Sequence, residues 1–180
     1  MKRCSWVDLR WERYIAYHDH RWGKPEHDDR QLFEMLILES FQAGLSWLTI
    51  LNKQEAFEAA FDGFDPAVVA AYSQEKVESL MANPGIVRNR RKILAAIGNA
   101  RVFLQIQQEF GSFDRYLWGF TQGQTLVNTT GVIPTHSELS DRISRDLKAR
   151  GMTFVGTTIV YSYLQAVGVV NDHDPECDFR

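Results

Sequence analysis

The chain has two cysteines, and they lie at its opposite ends. Cys177 follows His173 by four positions, a spacing at which both side chains can bind one metal ion from a single turn. Cys4 could supply a third ligand, and either His18 or His20 a fourth. Two cysteines and two histidines are a common tetrahedral ligand set for structural zinc. The alternative, which spacing alone leaves open, is two unrelated thiols and two solvated histidines near the chain ends.

One carboxylate interrupts a very apolar stretch of the chain, LILESF. This residue, Glu39, lies within a predicted helix over residues 29–42 whose apolar side chains occur nearly all round, so the helix should be central and buried. Burying a carboxylate is costly unless it is paired, and burial raises its pKa. Such groups are concentrated in active sites. Glu39 is therefore a candidate functional residue, with a structural ion pair or a helix-capping contact as the alternative.

Aromatic side chains with polar groups are concentrated in the first 47 positions. Rings of this kind can hold a planar ligand between them, and each stacked base contributes about 1–3 kcal/mol to binding. The alternative is that these residues belong to the hydrophobic core. The residues concerned are Trp6, Trp11, Tyr14, Tyr17, Trp22 and Trp47.

Two groups of basic residues are candidates for phosphate contacts, although solvated helix faces would explain them equally well. They comprise Arg88, Arg90, Arg91 and Lys92 in the segment RNRRK, and Lys148 and Arg150 further along. The second group precedes the segment GMTFVGTT. A turn that opens a helix exposes backbone N–H groups that can bind phosphate, here those of Gly156 and Thr157.

The bulk composition excludes several classes of protein. Mixed charges with a net charge of −3 argue against intrinsic disorder, and they give no overall indication of nucleic-acid binding, which must depend on a local patch. No apolar run is long enough for a transmembrane helix, and charged residues occupy the N-terminus where a signal peptide would need an apolar segment. We therefore expect a cytoplasmic protein with reduced cysteines and no membrane contact.

Apolar periodicity and capping residues predict an all-α chain without strands. A capping box is predicted over residues 135–138, and the longest loop over residues 119–134. The predicted helices cover residues 29–42, 45–61, 66–72, 74–82 and 88–109. A further helix follows the capping box and ends at Arg150, and a last helix lies between Gly156 and Gly168.

In combination, these segments resemble the bacterial DNA-3-methyladenine glycosylase I family. The resemblance runs in order from Cys4 to Cys177, and the blocks QAGLSW and VGTT are especially specific. The segments that carry it are RCSW, YHDHRWGKP, LFEMLILESFQAGLSWLTIL, GIVRNRRKI and FVGTTIVYSYLQAVGVVNDH.

The resemblance implies an all-α helix-hairpin-helix glycosylase fold, with residues 1–180 as a single domain, a base pocket between two lobes, and a monomeric state. It also implies one structural zinc ion that joins the chain ends, and it favours His18 over His20 as a ligand. The implied ligands are Cys4, His18, His173 and Cys177. The chain ends three residues after Cys177, a short tail that we expect to loosen this site.

The implied activity is repair of alkylated double-stranded DNA: the enzyme flips out 3-methyladenine and hydrolyses its glycosidic bond, without a lyase step. Glu39 is the implied catalytic residue, and the implied base-binding residues are Tyr17, Trp47, Tyr14 and Trp22. The implied DNA-binding residues are Gly44 and Leu45 in the minor groove, and Gly156, Thr157 and Arg88 at the backbone, with residues 151–158 as the hairpin. We expect Asp172 to have a structural role.

Two other functions remain open at this point. A catalytic zinc hydrolase would need an open metal position and a general base beside the ion. A DNA-binding module without activity would retain the hairpin and the metal but would have no use for Glu39.

Overall fold

The computed structural model describes all 180 residues and is mostly helical. No helix in it is both long and apolar enough to span a bilayer. The elements are α1 (Glu12–His20), α2 (Asp29–Gln42), α3 (Trp47–Ala60), a 3₁₀ turn (Asp62–Phe64), α4 (Pro66–Ala70), α5 (Gln74–Ala82), α6 (Arg90–Phe110), α7 (Phe113–Gly119), β1 (Leu126–Val127), α8 (Glu138–Ala149), α9 (Thr157–Ala166) and β2 (Val170–Asn171).

Helix α2 is the central element of the fold. Every residue from Leu32 to Phe41 is buried, and the helix packs against α3, α6, α7 and α9. Its N-terminus is fixed by Asp28, whose side chain accepts a hydrogen bond from the Gln31 N–H (3.0 Å). The prediction of a central, buried helix over residues 29–42 is confirmed, and Glu39 is consequently held inside the protein.

Side-chain caps explain the other helix boundaries. The predicted helix over 74–82 is confirmed, whereas α3 begins two residues later than predicted because Ser46 caps it. Asn89 caps α6 in the same way, and α6 ends before Gly111, which adopts a left-handed conformation (φ +88°). The predicted capping box at 135–138 is wrong, since the reciprocal pair is formed two residues later by Ser137 and Ser140.

The sequence did not predict α1 or α7, and the prediction of a chain without strands is wrong. Helix α7 begins immediately after the Gly111 stop, and its first N–H groups, on Phe113 and Asp114, donate to the Asp29 carboxylate (2.8 Å each). The strands form a parallel pair of two residues each, which is too short to show an alternating pattern. They fasten the long loop before α8 to the segment that follows α9.

The two chain ends are tied together. The Asp178 N–H donates to the Lys2 carbonyl (2.9 Å), and the Lys2 N–H donates to the Asp178 carboxylate (2.8 Å). The Ser5 N–H donates to the Asp174 carboxylate (2.7 Å), and the Arg180 guanidinium donates to a loop carbonyl. The C-terminal segment is therefore hydrogen-bonded on both sides of Cys177, and the effect of the short tail on the metal site stays a prediction.

Gly168 allows a close approach that the C-terminal segment needs. Its φ is +73°, and a Cβ at this position would lie 2.2 Å from the Lys24 carbonyl carbon. The end of α9 therefore packs directly against the backbone at residues 24–25. This contact directs the chain through β2 towards His173.

Candidate functional site

A cavity of about 220 Å³ lies where α1, α2, α3 and α9 meet. Its volume is below the roughly 300–1,000 Å³ typical of drug-sized ligands, so it suits a smaller planar molecule. Aromatic side chains dominate its walls, and one carboxylate lies among them. The lining residues are Trp6, Tyr14, Tyr17, Trp22, Glu39, Gln42, Trp47, Ile133, Ser162 and Gln165.

Glu39 is buried in this wall without a partner. Its side chain is 3% exposed, and Oε2 has no hydrogen bond. Burial alone raises the pKa of Glu39 to about 8, because no nearby cation offsets the loss of hydration. Neither the structural ion pair nor the capping contact considered above is present. At neutral pH the carboxyl of the empty cavity is mainly protonated.

Tyr17 and Trp47 form an aromatic corner beside Glu39. Their ring centroids are 5.2 Å apart at an angle of 49°. Burial raises the pKa of Tyr17 well above its ordinary value, so its phenol stays neutral. The Trp47 Nε1–H is buried without an acceptor. The cavity thus offers an unpaired donor and an unpaired carboxyl oxygen, as a planar ligand with polar edges would require.

Trp6 and Trp22 add two further rings to the cavity lining. Trp6 lies 5.3 Å from Tyr14 and 4.8 Å from Trp22, both in edge-on arrangements. The Trp22 ring also lies 4.7 Å from the ring of His173. The aromatic wall of the cavity is therefore packed directly against the residues that were predicted to bind metal.

Cys4, His18, His173 and Cys177 come together in one buried cluster, where their ligand atoms all lie within 4.8 Å of one another. The separation of the cysteines in sequence is bridged by the joined chain ends. His20 is exposed and lies outside the cluster. Four soft or imidazole donors in a dry site could hold a metal ion such as zinc or another thiophilic cation.

The surroundings of the two histidines orient them for metal binding. Nδ1 of His18 contacts the Asp19 carboxylate (2.8 Å), which Arg3 holds through charged hydrogen bonds. Nδ1 of His173 donates to the Asn171 amide oxygen (2.8 Å), and its Nε2 is buried without a partner. Burial lowers the pKa of His173 to about 4, so the ring stays neutral. Each imidazole therefore presents Nε2 to the cluster, as metal-binding histidines do.

A short exposed segment lies at the mouth of the cavity, between α2 and α3. Gln42 and Trp47 line the cavity on either side of it, and Leu45 is 40% exposed between them. Gly44 has φ +80°, and a Cβ there would have no neighbour within 4 Å. The segment therefore presents an apolar side chain to solvent beside the opening.

The turn between α8 and α9 is held by buried side chains. Asn99 exchanges two hydrogen bonds of 2.9 Å with the Thr153 backbone, and Ser144 donates to the Val155 carbonyl (2.7 Å). No side chain caps α9 at Gly156. The Thr157 hydroxyl donates to the Asp141 carboxylate (2.6 Å), which leaves its backbone N–H as the group available to an anion.

The predicted basic cluster divides into three kinds of residue. Arg88 and Arg91 are exposed and have no ion pair, whereas Arg90 pairs with Glu78 through two short hydrogen bonds. Lys92 is not on a solvated face, because it is buried and donates to backbone carbonyls at the end of α2. Its position in α6 turns it towards the core rather than towards solvent.

The second basic group contains one unpaired and one paired cation. Lys148 is exposed and has no ion pair. Arg150 instead pairs with Glu109 and Asp146 at 2.6 and 2.7 Å. One cation from this group is therefore available to an external phosphate.

Comparison with known proteins agrees with this geometry. A family model described as methyladenine glycosylase matches residues 6–180. The chain is 51% identical to DNA-3-methyladenine glycosylase 1 of Escherichia coli over 98% of its own length and 96% of that protein's. The chain belongs to the methyladenine glycosylase family. The resemblance noted in the sequence, and the expectation of an enzyme, are thereby confirmed.

Solved structures of the family share the fold. A crystal structure of 3-methyladenine DNA glycosylase I is 49% identical, with a TM-score of 0.94 and coverage of 98% of both chains. A variant of another such enzyme, solved in complex with 3-methyladenine, is 38% identical, with a TM-score of 0.93, and covers 99% of this chain and 97% of its own. The mostly helical fold of the family is therefore shown for this chain.

Several lining residues were not identified as site residues in the sequence. Gln42 lies one helical turn after Glu39 and could have been found from that spacing. Gln165 is a buried polar residue in the apolar helix α9, the same signal that singled out Glu39. Trp6 was one of several clustered aromatic residues. Ser162 and Ile133 had no signal, since only the fold brings them to the cavity.

The first prediction concerns stability. The native chain keeps the Glu39 proton up to about pH 8, whereas the unfolded chain loses it near 4.5. The free energy of unfolding should thus fall by about 1.4 kcal/mol per pH unit between these values. Glu39→Gln cannot ionise, so its free energy of unfolding should not show this fall. Measured by urea unfolding, the free energy of unfolding of the variant relative to that of wild type should increase by about 3–4 kcal/mol from pH 5 to pH 8.

The matched control for this measurement is Glu12→Gln, since Glu12 is exposed and forms no ion pair. The difference between Glu12→Gln and wild type should change little with pH. A constant difference for Glu39→Gln as well would contradict a buried, unpaired carboxyl.

Proposed function

We propose that this protein is a monomeric, single-domain enzyme (residues 1–180) that flips 3-methyladenine out of double-stranded DNA and hydrolyses its glycosidic bond. The observation that carries the proposal is Glu39, a fully buried carboxyl with an unpartnered oxygen in an aromatic cavity. The relative solved with 3-methyladenine supports the choice of base.

The chemistry of the lesion matches the cavity. Methylation at N3 gives adenine a positive charge while it is attached to the sugar, so the base leaves as a neutral molecule and needs no protonation. When the bond from the sugar carbon to N9 breaks, its electron pair goes to the ring and removes that charge. The task of the enzyme is then to select the cation, flip it out and admit water.

Glu39 selects the lesion by charge. In the empty cavity burial keeps the carboxyl mainly protonated at neutral pH. A cationic ring beside it stabilises the carboxylate and lowers its pKa, so the proton leaves as the lesion enters. Ordinary adenine is neutral and provides no such compensation. Contact with the ring faces of Tyr17 and Trp47 contributes about 0.5–2 kcal/mol to the binding of a cation, and neutral adenine lacks this contribution.

Tyr14 and Trp22 complete the base pocket, together with Trp6. Water then attacks the sugar carbon, and its proton passes to solvent. No lysine lines the cavity, which supports a monofunctional hydrolase rather than a lyase that forms a Schiff base. Asp172 keeps a structural role, because one of its oxygens accepts hydrogen bonds from Tyr161 (2.7 Å) and Gln165 (2.6 Å).

DNA contacts are assigned to the exposed groups around the cavity. Gly44 and Leu45 enter the minor groove and fill the gap left by the flipped base, since Leu45 lies exposed beside the opening. The N–H groups of Gly156 and Thr157 bind a phosphate at the uncapped start of α9, in a helix-hairpin-helix arrangement with α8. Arg88 adds an unpaired cation. Such contacts orient the protein without reading sequence.

The metal of the buried cluster is assigned as one structural zinc ion. Tetrahedral zinc with sulfur at about 2.3 Å and nitrogen at about 2.0–2.1 Å separates these ligands by about 3.5 Å. The Cys177 Sγ lies 3.5 Å from Nε2 of His18, which supports this fit. When bound, the ion would contribute stability by joining the chain ends. The four protein ligands would fill all positions of a tetrahedral ion, which argues against a catalytic zinc hydrolase.

The second prediction tests the reaction. Wild-type protein incubated with methylated DNA should release free 3-methyladenine, detected by chromatography. Glu39→Gln has nearly the same shape but cannot become anionic, so its release should fall by about 10²-fold or more. Equal release from both proteins would remove Glu39 from the chemistry. Binding without release by wild type would favour a DNA-binding module.

The third prediction tests the metal. Native mass spectrometry of wild type should show one zinc per chain. Cys177→Ala should lose the metal and melt at lower temperature, because a three-ligand site leaves the chain ends poorly joined. His20→Ala is the matched control and should keep both the zinc and the melting temperature. Full zinc occupancy in Cys177→Ala would contradict the ligand assignment.

A further inference from the structure

Lys92 occupies a position that local rules disfavour. It lies in the first turn of α6, where the positive end of the helix dipole opposes a cation. It is also 7% exposed, and burial lowers the pKa of its ammonium. Neither helix propensity nor solubility explains a lysine here. Its tertiary contacts must therefore account for it, and such local conflicts are typical of functional positions.

The Lys92 ammonium binds the C-terminal end of α2. It donates to the Phe41 carbonyl (2.8 Å) and to the Ala43 carbonyl (2.7 Å). Helix α2 has no basic residue in its own last turn, so this lysine supplies the positive charge that a helix C-terminus favours. The intervening Gln42 carbonyl accepts the Leu45 N–H (2.6 Å). Three consecutive carbonyls are thus satisfied, and the conformation of the turn is fixed.

The turn held in this way connects the base cavity to the exposed segment. Gln42 lines the cavity, and Leu45 is exposed three residues later. Space around the intervening Gly44 is open, since a Cβ there would have no neighbour within 4 Å. Packing around Gly44 therefore does little to hold the exposed segment. The contacts where the segment leaves α2 determine where Leu45 points.

We propose that Lys92 is a positioning residue for the segment formed by residues 43–46. Its ammonium fixes the start of this segment, at the end of α2, so that Leu45 enters DNA beside the pocket without rearrangement. Lys92 itself touches neither the base nor the phosphates. The inference rests on the proposed function, specifically on insertion of Leu45 into the duplex.

The test replaces the ammonium and keeps the stem, in Lys92→Met. Excision of 3-methyladenine from duplex DNA should fall by about 10- to 100-fold, the cost of a misplaced contact group. Excision from a single strand, which leaves no gap to fill, should change little, and so should binding of free 3-methyladenine measured by tryptophan fluorescence. Hydrogen exchange at the Leu45 amide should accelerate while the core of α2 stays protected.

The matched control is Lys53→Met. Lys53 also donates to two backbone carbonyls, those of Pro84 and Gly85 (3.1 and 3.2 Å), but far along α3 from the exposed segment. It should retain duplex excision and normal exchange at Leu45. Should Lys92→Met fail to fold, Lys92→Gln, whose amide can still donate to one carbonyl, gives the same comparison with a smaller loss.

Three results would overturn the proposal: unchanged duplex excision in Lys92→Met, unchanged exchange at Leu45, or an equal loss on duplex and single strand with weaker base binding. The last would make Lys92 a support of the fold or pocket. Failure of the proposed function is a separate result, since wild type would then release no 3-methyladenine. Exchange at Leu45 would still report whether Lys92 holds the segment.

Discussion

The proposed function depends on one physical constraint, an unpaired carboxyl in a dry aromatic cavity. Raising the pKa of Glu39 from 4.5 to about 8 corresponds to a cost of about 5 kcal/mol for the ionised form. A folded protein retains such a group when a ligand removes the penalty. A cationic purine does so, because its charge replaces the lost hydration of the carboxylate. In the proposed function, charge recognition separates a methylated base from ordinary adenine more strongly than the volume of one methyl group can.

The rest of the fold keeps this carboxyl dry and the cavity in shape. Helix α2 holds Glu39 because it is buried on all sides, and its end is fixed by Lys92 at the mouth of the cavity. Among the residues that line the cavity, Trp22 packs against His173 of the Cys/His cluster. The joined chain ends therefore support the aromatic lining as well as this cluster. In the proposed function, a metal ion bound there would stabilise the pocket without taking part in the reaction.

Much of the fold could be predicted from local signals. The apolar pattern of α2 and the cap Ser73 predicted their helices, whereas the caps Ser46 and Ser137 place the start of α3 and the capping box two residues later than predicted. The strands were too short to show a pattern. The arginines and lysine of RNRRK look alike in sequence, and only the packing of α6 on α2 turns Lys92 inward while Arg88 stays exposed. The metal ligands had the right residue types, but a set spread over the whole chain needed the fold, or the family resemblance, to unite it.

The most direct measurement of the central claim is a ¹³C NMR titration of the Glu39 carboxyl. The empty protein should titrate near pH 8 at this residue. Addition of a permanently cationic purine, such as adenine methylated at both N3 and N9, should lower that pKa clearly, while neutral 9-methyladenine should leave it unchanged. A Glu39 carboxyl that titrates near 4.5 in the empty protein, or whose pKa responds equally to both ligands, would contradict recognition by charge.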